Sequence, residues 1–319
     1  MKVAVGYSGG VDSTYAALDL KRAGHEVLCL TLDLHEGVDL EKARASAKAN
    51  GLEWEALPCR NAFKKITDQF FDYYARGLTP NPCLYCNQKI KFGFLLDAAR
   101  ERGCERLATG HYARAVNGRI HKAVDASKDQ SYAFALVKKE ALPFILLPMG
   151  GKEKAAVKRA LNWKGGESQD LCFATSRLAA LEEKLPKKKG VFLYNGKQVG
   201  EHDGAWFYCI GQRRGVGSER LFVKEVNVKD NFVVLAKRSE LFCSSFTVRG
   251  FNLHGDLPEE VDLIVRHRQE TVRARVEGNR FTPLAPLWAP APGQVAGVYD
   301  GDLLIGGGII DLVDYENAF

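Results

Sequence analysis

No apolar run in these 319 residues reaches the length of a membrane span, and the first residues pass directly into a short apolar stretch, Val3–Val5. Neither a transmembrane helix nor a signal peptide is therefore expected, and the chain reads as cytoplasmic. The Walker string Gly-x-x-x-x-Gly-Lys-Ser/Thr is missing, which removes that class of phosphate loop. Cys83-Leu-Tyr-Cys86 has no second Cys-x-x-Cys and no spaced histidine pair to accompany it, so a tetrahedral zinc site lacks a fourth ligand. There are no internal repeats and no low-complexity tract. Charge of one sign is scarce too: 45 basic against 39 acidic residues leave +6, which permits a nucleic-acid partner without identifying one. Eight cysteines without a leader fit reduced thiols, a metal or redox catalysis, not a secreted disulfide framework.

What is present divides into two halves. Up to about Thr175 apolar strands alternate with helices: strands at Val3–Val5, Val27–Leu32, Trp54–Leu57 and Leu107–Thr109, helices over Ser13–Ala23, Leu40–Asn50, Ala62–Tyr74 and Tyr85–Arg102. Gly77-Leu-Thr-Pro-Asn-Pro82 interrupts this pattern, because two prolines two residues apart exclude a helix. Such alternation predicts a doubly wound parallel sheet with ligands at the strand C-termini. Beyond Thr175 short strands follow with hairpin signals at Asn195-Gly196 and Asp300-Gly301. Val272-Arg-Ala-Arg-Val276 alternates strictly, with both arginines on one face. The expected fold class is α/β plus β: a parallel-sheet nucleotide domain (residues 1–175), a small central β-rich domain (176–240) and a C-terminal β-barrel (241–319). Lys187-Lys188-Lys189 reads as a solvated loop.

Two motifs carry chemistry. Gly6-Tyr7-Ser8-Gly9-Gly10-Val11-Asp12-Ser13 joins the first strand to the first helix. Its glycines allow main-chain N–H groups to approach an anion, and the helix N-terminus adds favourable partial charge. It resembles the pyrophosphatase-type loop, which grips pyrophosphate when ATP is cut between its α and β phosphates. That implies adenylation of a substrate. The second motif, Cys83-Leu-Tyr-Cys86, begins a helix, so its sulfurs lie about one turn apart with their pKa values lowered by the helix start. Cys172 sits in Glu167-Ser-Gln-Asp-Leu-Cys172-Phe. Cys29, Cys59, Cys104, Cys209 and Cys243 read as small hydrophobes.

In order along the chain stand nine landmarks. They are the loop at residues 6–13; Thr79-Pro-Asn-Pro-Cys-x-x-Cys-Asn87 with Ile90-Lys-Phe92; Ala108-Thr-Gly-His-Tyr112; Lys128-Asp-Gln-Ser-Tyr132; and Glu167-Ser-Gln-Asp-x-Cys-Phe173. His202-Asp-Gly with Gly211-Gln-Arg-Arg-Gly215, Arg266-His-Arg-Gln269, Pro292-Gly-Gln294 and Gly306-Gly-Gly-Ile-Ile310 complete them. Together they resemble the tRNA-specific 2-thiouridylase family nearly end to end. That family thiolates the wobble uridine of certain tRNA anticodons.

By position the resemblance implies that Gly6, Tyr7, Ser8, Gly9, Gly10, Val11, Asp12 and Ser13 bind ATP, with Asp12 near magnesium, Leu32 beside the adenine and Gly110 lining the site. Asn81, Pro82 and Cys83 match the segment that meets the target base. His111, Lys128, Asp129, Gln130, Arg266, His267 and Gln294 match tRNA contacts, and Cys86 and Cys172 match the catalytic cysteines. The family scheme adenylates the uracil 2-oxygen. Cys172 then carries a persulfide, and Cys86 releases its sulfur by forming a disulfide. Implied partners are tRNA and a persulfide or sulfide donor, such as a cysteine desulfurase or a sulfur carrier.

One departure opens an alternative. Cys83 stands where the family usually has aspartate, so Cys83, Cys86 and Cys172 resemble the three-cysteine set of 4Fe-4S-dependent tRNA thiolases. The region after Leu32 is also shorter than usual. His111 reads either as a packed histidine after a buried strand or as a tRNA contact. Arg266 and Arg268 read either as the wet face of a barrel strand or as phosphate contacts. Competing functions are another adenylating synthetase, which would leave the three thiols without a task, and a non-catalytic RNA-binding or cluster-carrying protein, against which the intact Ser8, Asp12 and Ser13 count.

Overall fold

The computed structural model describes residues 1–165, 171–216, 219–266 and 270–315. Five parallel strands build the first sheet: β1 (Lys2–Gly6), β2 (Glu26–Asp33), β3 (Glu53–Pro58), β4 (Arg106–Thr109) and, after a hairpin described below, β7 (Ile145–Leu146), in the order β3-β2-β1-β4-β7. Alternation within each strand sends residues to both faces. Val3, Val5, Val27 and Cys29 pack against α1 (Val11–Arg22) and α2 (Leu40–Ala49). Ala4, Leu28, Leu30 and Leu57 pack instead against α3 (Arg60–Ala75) and α5 (Leu95–Glu101). Each fully buried aliphatic side chain here contributes roughly 1.5–3 kcal/mol. Strand order reverses between β1 and β4, and crevices at such switch points hold ligands. No helix among the described residues is long and apolar enough to cross a membrane.

Between α3 and β4 the structure departs from the sequence reading. Pro82 is not outside the helix: it is the first residue of α4 (Pro82–Cys86), where a missing N–H costs nothing. The Asn81 side chain caps that helix by accepting from the Cys83 N–H at 3.1 Å. The expected α-helix over Tyr85–Arg102 is in fact α4, then a π-helix over Asn87–Phe94, then α5.

The β region forms two further bodies. The central sheet, β10-β11-β12-β8-β9, comprises β8 (Gly190–Tyr194), β9 (Lys197–His202), β10 (Arg213–Val216), β11 (Glu219–Asn227) and β12 (Phe232–Ala236), preceded by α7 (Arg177–Lys184). Asn195 and Gly196 make the β8–β9 turn with φ of 49° and 74°. The third body is a barrel of β14 (Ser245–Leu253), β15 (Glu260–Ile264), β16 (Val272–Glu277), β17 (Arg280–Pro283), β19 (Val295–Asp300) and β20 (Leu303–Asp314). It is closed by the β14–β20 pairing. β13 (Phe242–Cys243) and β18 (Leu287–Trp288) form a small ribbon beside it. On β16, Ala274 and Val276 are buried and Arg273 and Arg275 exposed, as the alternation predicts.

The first domain also reaches into the barrel. β5 (Arg114–Val116) and β6 (Arg119–His121) form a hairpin turning at Asn117-Gly118, and β6 pairs with β20. Arg114 and His121 both bond the Asp302 carboxylate on the barrel side.

Candidate functional site

The loop between β1 and α1 is organised by its own hydroxyls. The Ser8 N–H donates to Ser13 Oγ at 3.2 Å, the Ser13 hydroxyl donates to the Gly10 carbonyl at 3.2 Å, and the Gly10 N–H donates to Ser8 Oγ at 3.3 Å. Tyr7 anchors the turn through its hydroxyl, 2.7 Å from Ser46 Oγ and 3.1 Å from Thr14 Oγ1. Gly9 takes φ +68°, and a Cβ there would lie 3.0 Å from the Ala43 Cα of α2. No side chain caps α1 at Gly10. Its first N–H groups therefore point into the crevice with the positive end of the helix dipole. Gly110, after β4, closes the other wall; a Cβ on it would come within 3.0 Å of the Asp12 backbone and the Ser13 nitrogen. Leu32 is half-buried at the end of β2.

Asp12 is already engaged. Both of its carboxylate oxygens lie 2.6 Å from Lys154 Nζ, and the Tyr112 hydroxyl donates to Oδ1 at 3.1 Å. Lys154 begins α6 (Lys154–Ala160), more than 140 residues from the loop. The sequence reading missed it, because nothing local to a lysine at a helix start announces a distant partner.

The thiols form the second part of the site. Cys83 is exposed at the start of α4, Cys86 is buried at its end, and Cys172 lies on an exposed turn. Burial raises the Cys86 pKa, Lys91 lowers it and Cys83 raises it. Cys172 is pushed up to about 11 by desolvation and by the neighbouring Cys86 and Cys83 sulfurs, against a lowering by Lys91. The mutual influence places the three sulfurs in one neighbourhood. Cys59 belongs to it as well: burial, Cys86 and Asp33 raise its thiol to about 11. Cys59 is a buried core residue, as its reading as a small hydrophobe expects, and it lies at the head of α3 in the same core cluster as Cys86. Cys29 and Cys243 are fully buried and Cys104 nearly so.

At neutral pH this raised value keeps the resting Cys172 thiol protonated, which protects it from oxidation. Labelling of Cys172 by iodoacetamide should therefore climb about tenfold per pH unit from pH 7 to 10 without levelling. A plateau below pH 9, read on the Cys172 peptide by mass spectrometry, would contradict this.

The other sequence candidates fall into two groups. His111 follows β4, with its Nδ1 2.8 Å from Thr109 Oγ1 and its Nε2 3.4 Å from Lys91 Nζ, among the rings of Phe92 and Phe134. Gln130 Oε1 accepts from the Tyr112 N–H at 2.9 Å, and Asp129 Oδ1 accepts from the Ala123 N–H at 2.7 Å, so both side chains shape their loop. Lys128 is half-buried beside them. The loop carrying Gln294 docks on the Pro-Asn-Pro segment, where the Thr79 N–H donates to the Pro292 carbonyl at 2.8 Å.

Arg266 is half-buried between the central domain and the barrel. Its guanidinium donates to the Ile210 carbonyl at 2.8 Å and the Ala289 carbonyl at 2.5 Å and lies over the Trp288 ring. It pins the central domain to the barrel. His267, with Arg268 and Gln269, lies outside the described residues, as do Glu167-Ser-Gln-Asp170.

Three family descriptions match the chain: a tRNA methyl transferase HUP domain over residues 1–176, a tRNA methyl transferase PRC-barrel domain over 179–237, and an aminomethyltransferase β-barrel domain over 243–310. The chain is similar to the tRNA-specific 2-thiouridylase MnmA of Campylobacter jejuni, 36% identical over 340 residues that cover 98% of this chain and 100% of that one. It is 38% identical to the enzyme of the same name from Thermus thermophilus (97% of this chain, 94% of that one) and 36% identical to that of Fervidobacterium nodosum (97% and 99%). The domain descriptions speak of methyl transfer and the relatives' names of thiolation. The grouped thiols accord with the relatives.

Proposed function

Because this chain belongs to the tRNA-specific 2-thiouridylase family, and so catalyses ATP-dependent 2-thiolation of a tRNA uridine, we propose that Cys86 and Cys172 handle the sulfur while the loop at residues 6–13 holds ATP. The observation that carries this reading is the three-residue bridge Thr109-Gly110-His111. Gly110 abuts the Asp12–Ser13 backbone of the ATP loop, and the next residue, His111, bonds Lys91 beside the thiols. Nucleotide and sulfur chemistry therefore share one crevice at the β1/β4 switch point.

The chemistry follows from the parts. A uracil 2-oxygen is a poor leaving group. Transfer of AMP onto it releases pyrophosphate and the N3 proton and makes it a good one. Pyrophosphate would be gripped by the N–H groups of Gly9 to Ser13. A persulfide on Cys172, supplied by a sulfur-carrying protein, is then attacked at its Sγ by the Cys86 thiolate. The Cys86–Cys172 disulfide forms and the outer sulfur leaves as hydrosulfide. Hydrosulfide adds to C2, AMP departs with the oxygen, and the hydrosulfide proton ends on N3. A dithiol reductant then restores the two thiols.

Magnesium would find one carboxylate, Asp12, here committed to Lys154. A single carboxylate suits magnesium when nucleotide phosphates supply further oxygens. Asn81, Pro82 and Cys83 present the face for the target base, taken to be the anticodon wobble uridine. Lys128, His111 and Gln294 flank it, and the enzyme works in the cytoplasm with its tRNA. A resident 4Fe-4S cluster does not fit. Among the described residues no three His, Cys, Asp or Glu side chains are grouped as a ligand set, and Cys83 is exposed whereas Cys86 is buried. Three sulfurs in a shared neighbourhood are not a convergent cluster site.

The test is anaerobic thiolation of unmodified tRNA with ATP and a persulfide-bearing carrier, without iron, for the wild type and Cys83→Ala. Thiolation by both, within about fivefold of each other, is expected. A strict need for iron, together with loss of activity in Cys83→Ala, would replace this reading with the cluster.

A further inference from the structure

Cys86 ends α4, and the chain then winds as a π-helix, with the Leu95 N–H donating to the Ile90 carbonyl five residues back. In a continuing α-helix the residues stacked one turn beyond Cys86 would be Lys89 and Ile90. The wider turn advances that position to Lys91 and leaves Ile90, 1% exposed, for the core. π-turns are rare and concentrate where function requires them.

The half-buried Lys91 ammonium has an unusual set of neighbours. Among the described residues no carboxylate lies within ion-pair distance of it. Its hydrogen-bonding neighbour is His111 Nε2 at 3.4 Å. Burial first and Lys91 second hold the imidazole pKa well below its ordinary value. The ring is therefore neutral, donating from Nδ1 to Thr109 Oγ1 and accepting from the lysine at Nε2. The contact to His111 uses one of the three ammonium N–H bonds.

The groups that face Cys86 come from several elements. Cys83 lies on its own helix, Cys59 at the head of α3 with Asp33 next to it, Cys172 on the turn after residue 170, and Lys91 on the π-helix. Lys91 is the cation of this set. We propose that Lys91, aimed by His111, is the counter-charge that holds the Cys86 sulfur as the attacking thiolate, with His111 a positioning residue that keeps the ammonium in place. The inference rests on Cys86 being the attacking thiol, but its test does not depend on turnover.

Alkylation of Cys86, followed on its own peptide from pH 6.5 to 10 in the full-length protein, reads thiolate content directly. Lys91→Met should slow labelling at pH 7.5 by roughly tenfold and move the whole profile about one unit upward. Lys91→Arg, which keeps the charge, should stay within about twofold of wild type. His111→Gln, which keeps an acceptor for the ammonium, should lie between them. An unmoved profile in Lys91→Met overturns the proposal. So does an arginine variant as impaired as the methionine one, since packing would then be the cause. If the profiles behave as expected but Cys86→Ser still thiolates tRNA, the sulfur-transfer reading fails and the ionisation role of Lys91 stands.

Discussion

Cys172→Ser should lose thiolation by roughly 10³-fold or more while tRNA-dependent pyrophosphate release continues. A serine oxygen cannot take up a sulfane sulfur, so the second half-reaction has no carrier. The first half-reaction is proposed to use the loop at residues 6–13, which is held by its own hydroxyls and by Gly110, not by Cys172. Cys86→Ser should differ in a diagnostic way. Without an attacking thiolate the persulfide on Cys172 persists and the protein gains one sulfur mass under turnover conditions. Pyrophosphate release and thiouridine formation, measured on the same samples, separate these steps. Retention of more than about a tenth of wild-type thiolation by Cys172→Ser would remove it as the carrier.

Gly9→Ala should cut tRNA-dependent pyrophosphate release by roughly 10²-fold, equivalent to almost 3 kcal/mol in the barrier. Gly24→Ala is the matched comparison. Both residues have positive φ, +68° and +83°, and both variants carry the cost of a left-handed alanine, about 1–2 kcal/mol. Only the Gly9 methyl meets an obstacle, the Ala43 Cα at 3.0 Å, and backbone cannot swing away; the space at Gly24 is open. Gly9→Ala should thus be the less stable of the two by the cost of that clash, and where both are folded it alone should lose activity. Equal activities would mean that the loop does not hold the nucleotide.

The doubly wound sheet was legible because its signals are local. Val3–Val5 and Val27–Leu32 are near-continuous apolar runs, as buried parallel strands must be, and Gly24 and Gly51 end the helices between them. The strand–loop–helix form of residues 6–13 and the helix that carries Cys86 were legible for the same reason, since each motif is contiguous. Less was readable where a residue's task depends on a distant partner. Lys154 reaches Asp12 across most of the first domain, and Cys59 comes beside Cys86 from the end of another strand. Arg266 reads as the wet face of a strand or as a phosphate contact, and its two bonds to carbonyls of different domains, both from one guanidinium nitrogen, depend on partners 23 and 56 residues away. The π-helix escaped notice because nothing contiguous in Asn87–Phe94 announces the wider turn within a segment that reads as one helix.

The sequence by itself determined the family and the order of the parallel-sheet domain, central domain and barrel, and it marked the Gly6–Ser13 loop and the Cys83–Cys86 pair as candidates, since hydrophobic period, glycine placement and short motifs act within a few residues. Tertiary structure decided how these parts meet. It placed Gly110 against the loop, brought Lys91 beside His111 and the thiols, tied Asp12 to Lys154, and passed a hairpin of the first domain to the barrel edge. The physical reason is that hydrogen bonds and charge interactions act over a few ångströms of space whatever the separation along the chain. The pattern of any one segment does not specify which distant group will stand at that distance.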